Sequence, residues 1–116
     1  MRFEERELKS YAEPVLAGLL KEGEVYFSVQ FVDEDMLSPT VETWVFAGRR
    51  LDPEDVEDHL YFQDVESYRL GIRYAFATAG NAHFQVARAE NIKHIFEYER
   101  ALDELMKCSL RRKGSG

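Results

Sequence analysis

The sequence has one cysteine and no long apolar run. Because Cys108 has no second cysteine to pair with, neither an internal disulfide nor a multi-cysteine zinc cluster can form. No segment approaches the roughly 18 consecutive apolar residues of a membrane span. Residues 1–8 are charged, unlike a signal peptide. These absences predict a cytoplasmic protein without a membrane partner.

Motifs for phosphate binding, nucleophilic catalysis and metal binding are also lacking. Gly48, Gly71 and Gly80 are isolated, so there is no glycine-rich phosphate loop, and no G-x-S-x-G motif occurs. The three histidines have no paired spacing of the kind that zinc sites use. We therefore predict no metal and no cofactor. The net charge of −7 argues against nucleic acid as a partner, since affinity for phosphates comes from Lys and Arg.

Length and composition predict one folded domain. A chain of 116 residues fits a single core, and 45% apolar with 13% aromatic residues is too high for a disordered chain. We place the domain at residues 1–113. Residues 114–116, a Gly-Ser-Gly sequence, are predicted to be a flexible tail.

Alternating apolar and polar side chains, interrupted by turn residues, predict five short strands. They lie at residues 24–32, 41–48, 60–68, 70–76 and 83–87. Residues 8–15 fit either an edge strand or the end of a helix, and residues 16–21 fit a single helical turn. Residues 49–58 carry many acids and are predicted to be an exposed, solvated loop without the glycine and glutamate spacing of a calcium site.

A long amphipathic helix is predicted at residues 91–113. Asn91 suits the N-cap, and Gly114 suits a left-handed residue that ends the helix. The apolar positions recur at intervals of three, four and seven, which places them on one face; they are Ile92, Ile95, Phe96, Leu102, Leu105, Met106 and Leu110.

Strands that follow one another without intervening helices predict an antiparallel meander in a mainly β, α+β domain. Because closing five short strands removes exposed edges, we expect a small SH3-like barrel, or a strongly curved sheet, capped by the C-terminal helix. The alternative is an open, twisted sheet with the helix across one face.

Amphipathic aromatic residues beside carboxylates are the main binding signal. Such rings pack on one side and hydrogen-bond on the other, and they bind peptides or cationic ligands by stacking and cation–π contacts. The candidate binding residues are Tyr26, Trp44, Tyr61, Asp64, Glu66 and Tyr68. Asp64 and Glu66 lie two apart in a predicted strand, on one face with Tyr68, so a shared acid–base role is an alternative.

Three segments resemble small bacterial proteins of uncharacterised function encoded on mobile gene cassettes such as integrons. They are EGEVYF at residues 22–27, YFQDVESY at 61–68 and HIFEYE at 94–99. The resemblance spans residues 8–112. It implies a bacterial, cytoplasmic accessory role and assigns no catalytic residue.

Our first functional hypothesis is a non-enzymatic module that binds a protein or a small ligand. Self-association through the apolar residues of segment 41–48, as a homodimer, is its simplest form. One alternative is an acidic immunity or inhibitor protein for a basic toxin or nuclease. Another is a small hydrolase or isomerase that uses strand carboxylates, although no motif supports an enzyme.

Overall fold

The computed structural model describes residues 14–115. Five strands and two α-helices follow one another as β1 (Val25–Phe31), β2 (Pro39–Arg49), β3 (His59–Asp64), α1 (Val65–Arg69), β4 (Phe84–Arg88), β5 (Ile95–Phe96) and α2 (Tyr98–Ser115). The predicted helical turn at residues 16–21 is present as a 3-10 turn, Ala17–Leu19. The prediction for residues 8–15 falls mostly outside the described range.

The strands form one antiparallel sheet in the order β4-β3-β2-β1-β5. β1 to β4 form an antiparallel meander as predicted, but without the expected strand at residues 70–76. β5 returns to the other side of β1, where Phe96 lies opposite Phe27. Within residues 14–115, β4 and β5 are the two edges of this sheet and the sheet is open. The α+β class, with five antiparallel strands and a C-terminal helix, is therefore confirmed. The expected closure into a barrel is wrong, and an SH3-like assignment is not confirmed.

The strand register defines two faces of the sheet. Directly opposed residues share a face, so Tyr26, Trp44 and Asp64 form a row on the first face. Val45 and Gln63 form a row on the second face in the same way. The two faces carry separate apolar cores.

The larger core lies on the first face. Phe46 and Phe62 pack with their ring centroids 5.5 Å apart, and residues from outside the sheet cover them. The buried members of this core are Val15, Leu20, Tyr26, Phe46, Leu60, Phe62, Ile92 and Ile95. Large side chains with little exposed area make this face the main source of apolar burial.

The smaller core joins α2 to the second face. Ala101 and Leu105 of the helix belong to the cluster that contains Val29 and Phe96 of the sheet. The predicted role of the C-terminal helix as a cover is confirmed for this part. Leu102, Met106 and Leu110, which were expected to face the sheet, are exposed instead.

The C-terminal helix begins later than its apolar spacing indicates. Asn91 ends a 3-10 turn, Ala89–Asn91, and is not a helix N-cap. Ile95 and Phe96 form β5, where successive residues enter opposite faces of the sheet. Gly114 lies within α2 and does not end it.

Two predicted strands also differ from the structure. The third ends at Asp64, because the Asp64 carboxylate accepts the Ser67 backbone N–H at 2.9 Å and caps α1. The predicted fourth strand, 70–76, contains Gly71 at φ +87° and a 3-10 turn, Tyr74–Phe76. A left-handed glycine interrupts strand pairing, so the alternation there does not produce a strand.

None of the helices within residues 14–115 combines the length and the apolar character that a membrane span requires.

Candidate functional site

The loop after β2 and the segment before β4 are joined by hydrogen bonds between carboxylates and phenols. Asp52 and Asp55 come from the loop, Tyr61 and His59 from β3, and Tyr74 from the 3-10 turn. We call these five residues the carboxylate–phenol network. The loop was expected to be solvated throughout, and the half-buried Asp52 and Asp55 correct that expectation.

Asp55 is the centre of the network. The Tyr61 hydroxyl donates to Asp55 Oδ2 at 2.5 Å, and His59 Nδ1 lies 2.8 Å from Asp55 Oδ1. Because an ionised carboxylate only accepts, the imidazole Nδ1–H is the donor. Both carboxylate oxygens are thus occupied by groups on the neighbouring strand.

Asp52 anchors the other end of the network. The Tyr74 hydroxyl donates to Asp52 Oδ2 at 2.6 Å, and the Glu54 backbone N–H donates to Asp52 Oδ1 at 2.9 Å. The rings of Tyr61 and Tyr74 meet edge to face with centroids 5.0 Å apart. The network therefore ties the loop to both β3 and the segment before β4.

These contacts separate the pKa values of the acids and the phenols. The Tyr61 hydroxyl, followed by His59, lowers the pKa of Asp55, and the Tyr74 hydroxyl lowers the pKa of Asp52. Burial, followed by the bond to Asp55, raises the pKa of Tyr61. The bond to Asp52, followed by burial, raises the pKa of Tyr74. At neutral pH the carboxylates are weak bases and the phenols weak acids, so this network fits a structural role better than proton transfer.

Replacing Tyr61 with phenylalanine should lower the free energy of unfolding by about 1–2 kcal/mol at neutral pH, because the buried hydroxyl donates to an ionised acceptor. The pKa of Asp55 is lower in the folded chain, so its stabilising effect is present above the ordinary value of 3.8. That effect is lost as the pH falls through the lowered pKa. Urea titrations at neutral and strongly acidic pH should show the difference between variant and wild type shrinking in acid.

The matched control for that measurement is Tyr98→Phe, since the Tyr98 side chain is exposed. It should change the free energy of unfolding by no more than about 0.5 kcal/mol. A Tyr61→Phe effect equal to that of the control would contradict the network's stabilising role.

An apolar cavity lies beside the network. The Tyr74 ring contacts both Tyr61 and Phe84, with a centroid distance of 5.4 Å to Phe84. The cavity has a volume of about 550 Å³. It is lined by Leu51, Pro53, Tyr74, Ala75, Ala77, Thr78, Ala79, Ala82 and Phe84. We refer to it as the alanine-lined cavity.

The structure brings three of the six predicted binding residues together. Tyr26, Trp44 and Asp64 form one row on the first sheet face. The Tyr26 side chain is buried, and its hydroxyl accepts the Lys21 backbone N–H at 2.9 Å. Burial raises the pKa of Tyr26. The Tyr26 side chain is therefore part of the core, and its ring is not exposed to bind a ligand.

The other three predicted residues lie elsewhere. Tyr61 is on the second face and belongs to the network, whereas Glu66 and Tyr68 are on α1. The Arg73 guanidinium lies over the Tyr68 ring, 4.0 Å from its centroid, so this ring already has a cationic partner within the chain. The six residues do not form one exposed acidic and aromatic surface.

Asp64 and Glu66 do share a smaller cavity, of about 370 Å³, with Ser67 and His83. The Asp64 carboxylate accepts the His83 backbone N–H at 2.8 Å and the Ser67 hydroxyl at 2.5 Å. Burial acts to raise the pKa of Asp64, but these hydrogen bonds outweigh burial and lower it. Asp64 is thereby a structural cap and a poor general base, and His83 is exposed to solvent. The carboxylates were expected in one strand, but Glu66 lies in α1.

The network residues Asp52, Asp55 and Tyr74 are not among those that the sequence singled out for binding. One local signal was present, because Asp followed by Pro favours a turn in which the Asp side chain accepts a backbone N–H two residues on. That contact is the one between Asp52 and Glu54. The pairing of Asp52 with Tyr74 depends on the fold and has no local signal.

Comparison of the chain with protein-family models, with curated proteins and with solved structures finds no match in any of the three. Functional inference therefore depends on the geometry of the molecule itself.

Proposed function

We propose that this protein is a non-enzymatic binding module that holds a small apolar or aromatic group in the alanine-lined cavity. The observation that carries the proposal is a cavity of about 550 Å³ bounded by the rings of Tyr74 and Phe84. Ligand sites typically have volumes of roughly 300–1,000 Å³ and mostly apolar walls with a few polar groups. Here the polar side chains are those of Thr78 and Tyr74.

The carboxylate–phenol network supports this proposal by fixing the cavity wall. The Tyr74 hydroxyl is held by Asp52, so the ring faces its neighbours in one orientation. A wall that is already ordered loses little conformational entropy when a ligand binds. The small alanine side chains leave room for a flat group against the aromatic edge.

The probe 1-aminoanthracene, a neutral aromatic fluorophore that brightens in apolar surroundings, tests the proposal. We expect saturable binding to the wild type and binding weakened by about tenfold or more in Ala79→Phe, because the added ring occupies the cavity. Ala89→Phe adds the same ring at an exposed position outside the cavity and should leave the affinity unchanged.

Two results would contradict the proposal. One is the lack of saturable binding by the probe and by a library of aromatic fragments followed by ligand-observed NMR. The other is equal binding by Ala79→Phe and Ala89→Phe. Thermal unfolding of both variants checks that each is folded.

The expected bacterial and cytoplasmic setting remains part of this proposal. The buried, unpaired Cys108 supports a reducing compartment. An acidic inhibitor of a basic protein is the alternative, and its association would weaken steeply with salt, whereas the apolar cavity's affinity for a neutral ligand would not.

A further inference from the structure

The helix α2 has an apolar face that the described residues, 14–115, leave exposed. Ala101 and Cys108 are buried toward the sheet. A second set of apolar residues lies on another side of the helix and is 52–64% exposed. We call this set the α2 stripe; it consists of Tyr98, Leu102, Met106 and Leu110.

The spacing of the α2 stripe gives it a continuous surface. Its members are four residues apart, so they lie one above another along the helix for three turns. Scattered apolar side chains on a surface are ordinary, but a contiguous row along a helix is typical of a protein interface.

Apolar surface continues from the stripe onto the sheet. Tyr98 packs edge to face on Phe27, with ring centroids 4.6 Å apart. Val41, which lies opposite Val29 in the register, is 46% exposed on the same face. A cavity of about 390 Å³ separates Pro39 of β2 from Leu105 and Ser109 of α2. A helix placed against the stripe would therefore find a partly apolar floor beside it.

The charge distribution of α2 indicates which partner helix would be complementary to the stripe. The first half of the helix carries three acids and one arginine, and the second half carries four cations and no acid. The acids are Glu99, Asp103 and Glu104, and the cations of the second half are Lys107, Arg111, Arg112 and Lys113. Asp103 and Lys107 are buried within their own chain, whereas Glu99 in the first turn and Lys113 in the last turn are exposed. A second copy packed antiparallel about Met106 places the exposed Glu99 of one helix opposite the exposed Lys113 of the other, whereas a parallel copy places like charges together.

We propose that two copies of this chain associate through their α2 stripes, with the helices antiparallel across a two-fold axis at Met106. Leu102 and Leu110 lie four residues before and after Met106, so in this arrangement Leu102 faces the partner's Leu110. The side chains of Leu102, Met106 and Leu110 then each meet an apolar side chain, as an isologous interface requires, and Tyr98 lies opposite the partner's Gly114. Self-association was expected through residues 41–48. We assign it to α2 instead, because Val45 and Phe46 of that segment are buried within their own chain.

Sedimentation equilibrium tests the association. The wild type should be dimeric at micromolar concentration, and the double variant Leu102→Glu/Leu110→Glu should weaken the dimer by about tenfold or more, because four carboxylates would enter an apolar contact. Val56→Glu is the matched control, since Val56 is exposed but lies outside α2, and it should remain dimeric. A wild type that stays monomeric at hundreds of micromolar, or a double variant as dimeric as the wild type, would overturn the proposal.

Cysteine cross-linking tests the orientation. In a Cys108→Ala background, Met106→Cys should form a disulfide-linked dimer under mild oxidation, because the two-fold axis brings the two copies of this position together. Leu102→Cys alone should not cross-link, but a mixture of Leu102→Cys and Leu110→Cys chains should. Cross-linking of Leu102→Cys with itself would show parallel helices and contradict the proposed interface.

Discussion

Replacing Phe62 with alanine should lower the free energy of unfolding by about 3–5 kcal/mol. Phe62 is 1% exposed, sits on the first face of β3 between β2 and β4, and packs against Phe46. Truncation removes the ring's burial and leaves a cavity that a central strand cannot collapse to fill. Urea unfolding followed by the fluorescence of the single tryptophan measures the loss.

The control for Phe62→Ala is Phe76→Ala. Phe76 is an exposed residue of the 3-10 turn, and its removal should change the free energy of unfolding by no more than about 0.5 kcal/mol. A loss of less than about 1 kcal/mol in Phe62→Ala would mean that the first-face core does not support the fold as described.

Replacing Gln63 with glutamate should lower the free energy of unfolding at neutral pH by about 3–5 kcal/mol. Gln63 is fully buried, and its side-chain NH₂ donates to the Ser67 hydroxyl oxygen and to the Ile72 carbonyl, each at 2.9 Å. A carboxylate there is desolvated and faces a carbonyl oxygen that it cannot bond. Chemical denaturation at neutral pH measures this effect.

The charge contribution can be separated from the packing contribution by pH. Burial favours the neutral acid, so the pKa of the introduced carboxyl is raised in the folded chain, and the variant should recover stability as the pH falls and the group becomes protonated. Gln63→Met, which loses the same hydrogen bonds without adding charge, should show no comparable recovery. Equal pH profiles for the two variants would show that burial of the charge is not the cause of the loss.

The sequence predicted β1 and β4 best, and each lies within about one residue of its expected position. Alternating side chains mark both strands, although β1 is largely buried and β4 is a largely exposed edge strand. The third predicted strand failed after Asp64, where one carboxylate–backbone hydrogen bond outweighed β propensity in the following residues. Such a cap depends on local chemistry. Asp also occurs within strands, however, so the presence of an Asp does not by itself show where a strand ends.

The start of the C-terminal helix was mispredicted for a different reason. Ile92, Ile95 and Phe96 have helical spacing, yet Ile95 and Phe96 enter opposite cores from a two-residue strand. Helical and strand periodicities cannot be told apart over so few residues. The same spacing also predicted too many buried residues on α2, because it does not show how much of the helix surface the sheet covers.

Only part of the candidate site could be predicted from the sequence. Tyr61 was selected as an amphipathic ring and is part of the network that supports the cavity. Its partner Asp55 was assigned to solvent because five acids in ten residues resemble a solvated loop. Distinguishing the two half-buried carboxylates from the others requires knowing that Tyr74 and Tyr61 hydrogen-bond to that loop, which depends on contacts between distant parts of the chain.

The pairing of β5 with β1 also determines when the outer edge of β1 becomes covered during synthesis. β1 is among the earliest strands to be synthesised, but its outer edge acquires a neighbour only when Ile95 and Phe96 have left the exit tunnel. Until then the nascent meander presents the unpaired backbone of β1 beside Phe27 and Val29, whose helical cover is also missing. Synthesis of β5 and α2 is thus the step that covers this edge and the apolar side chains beside it.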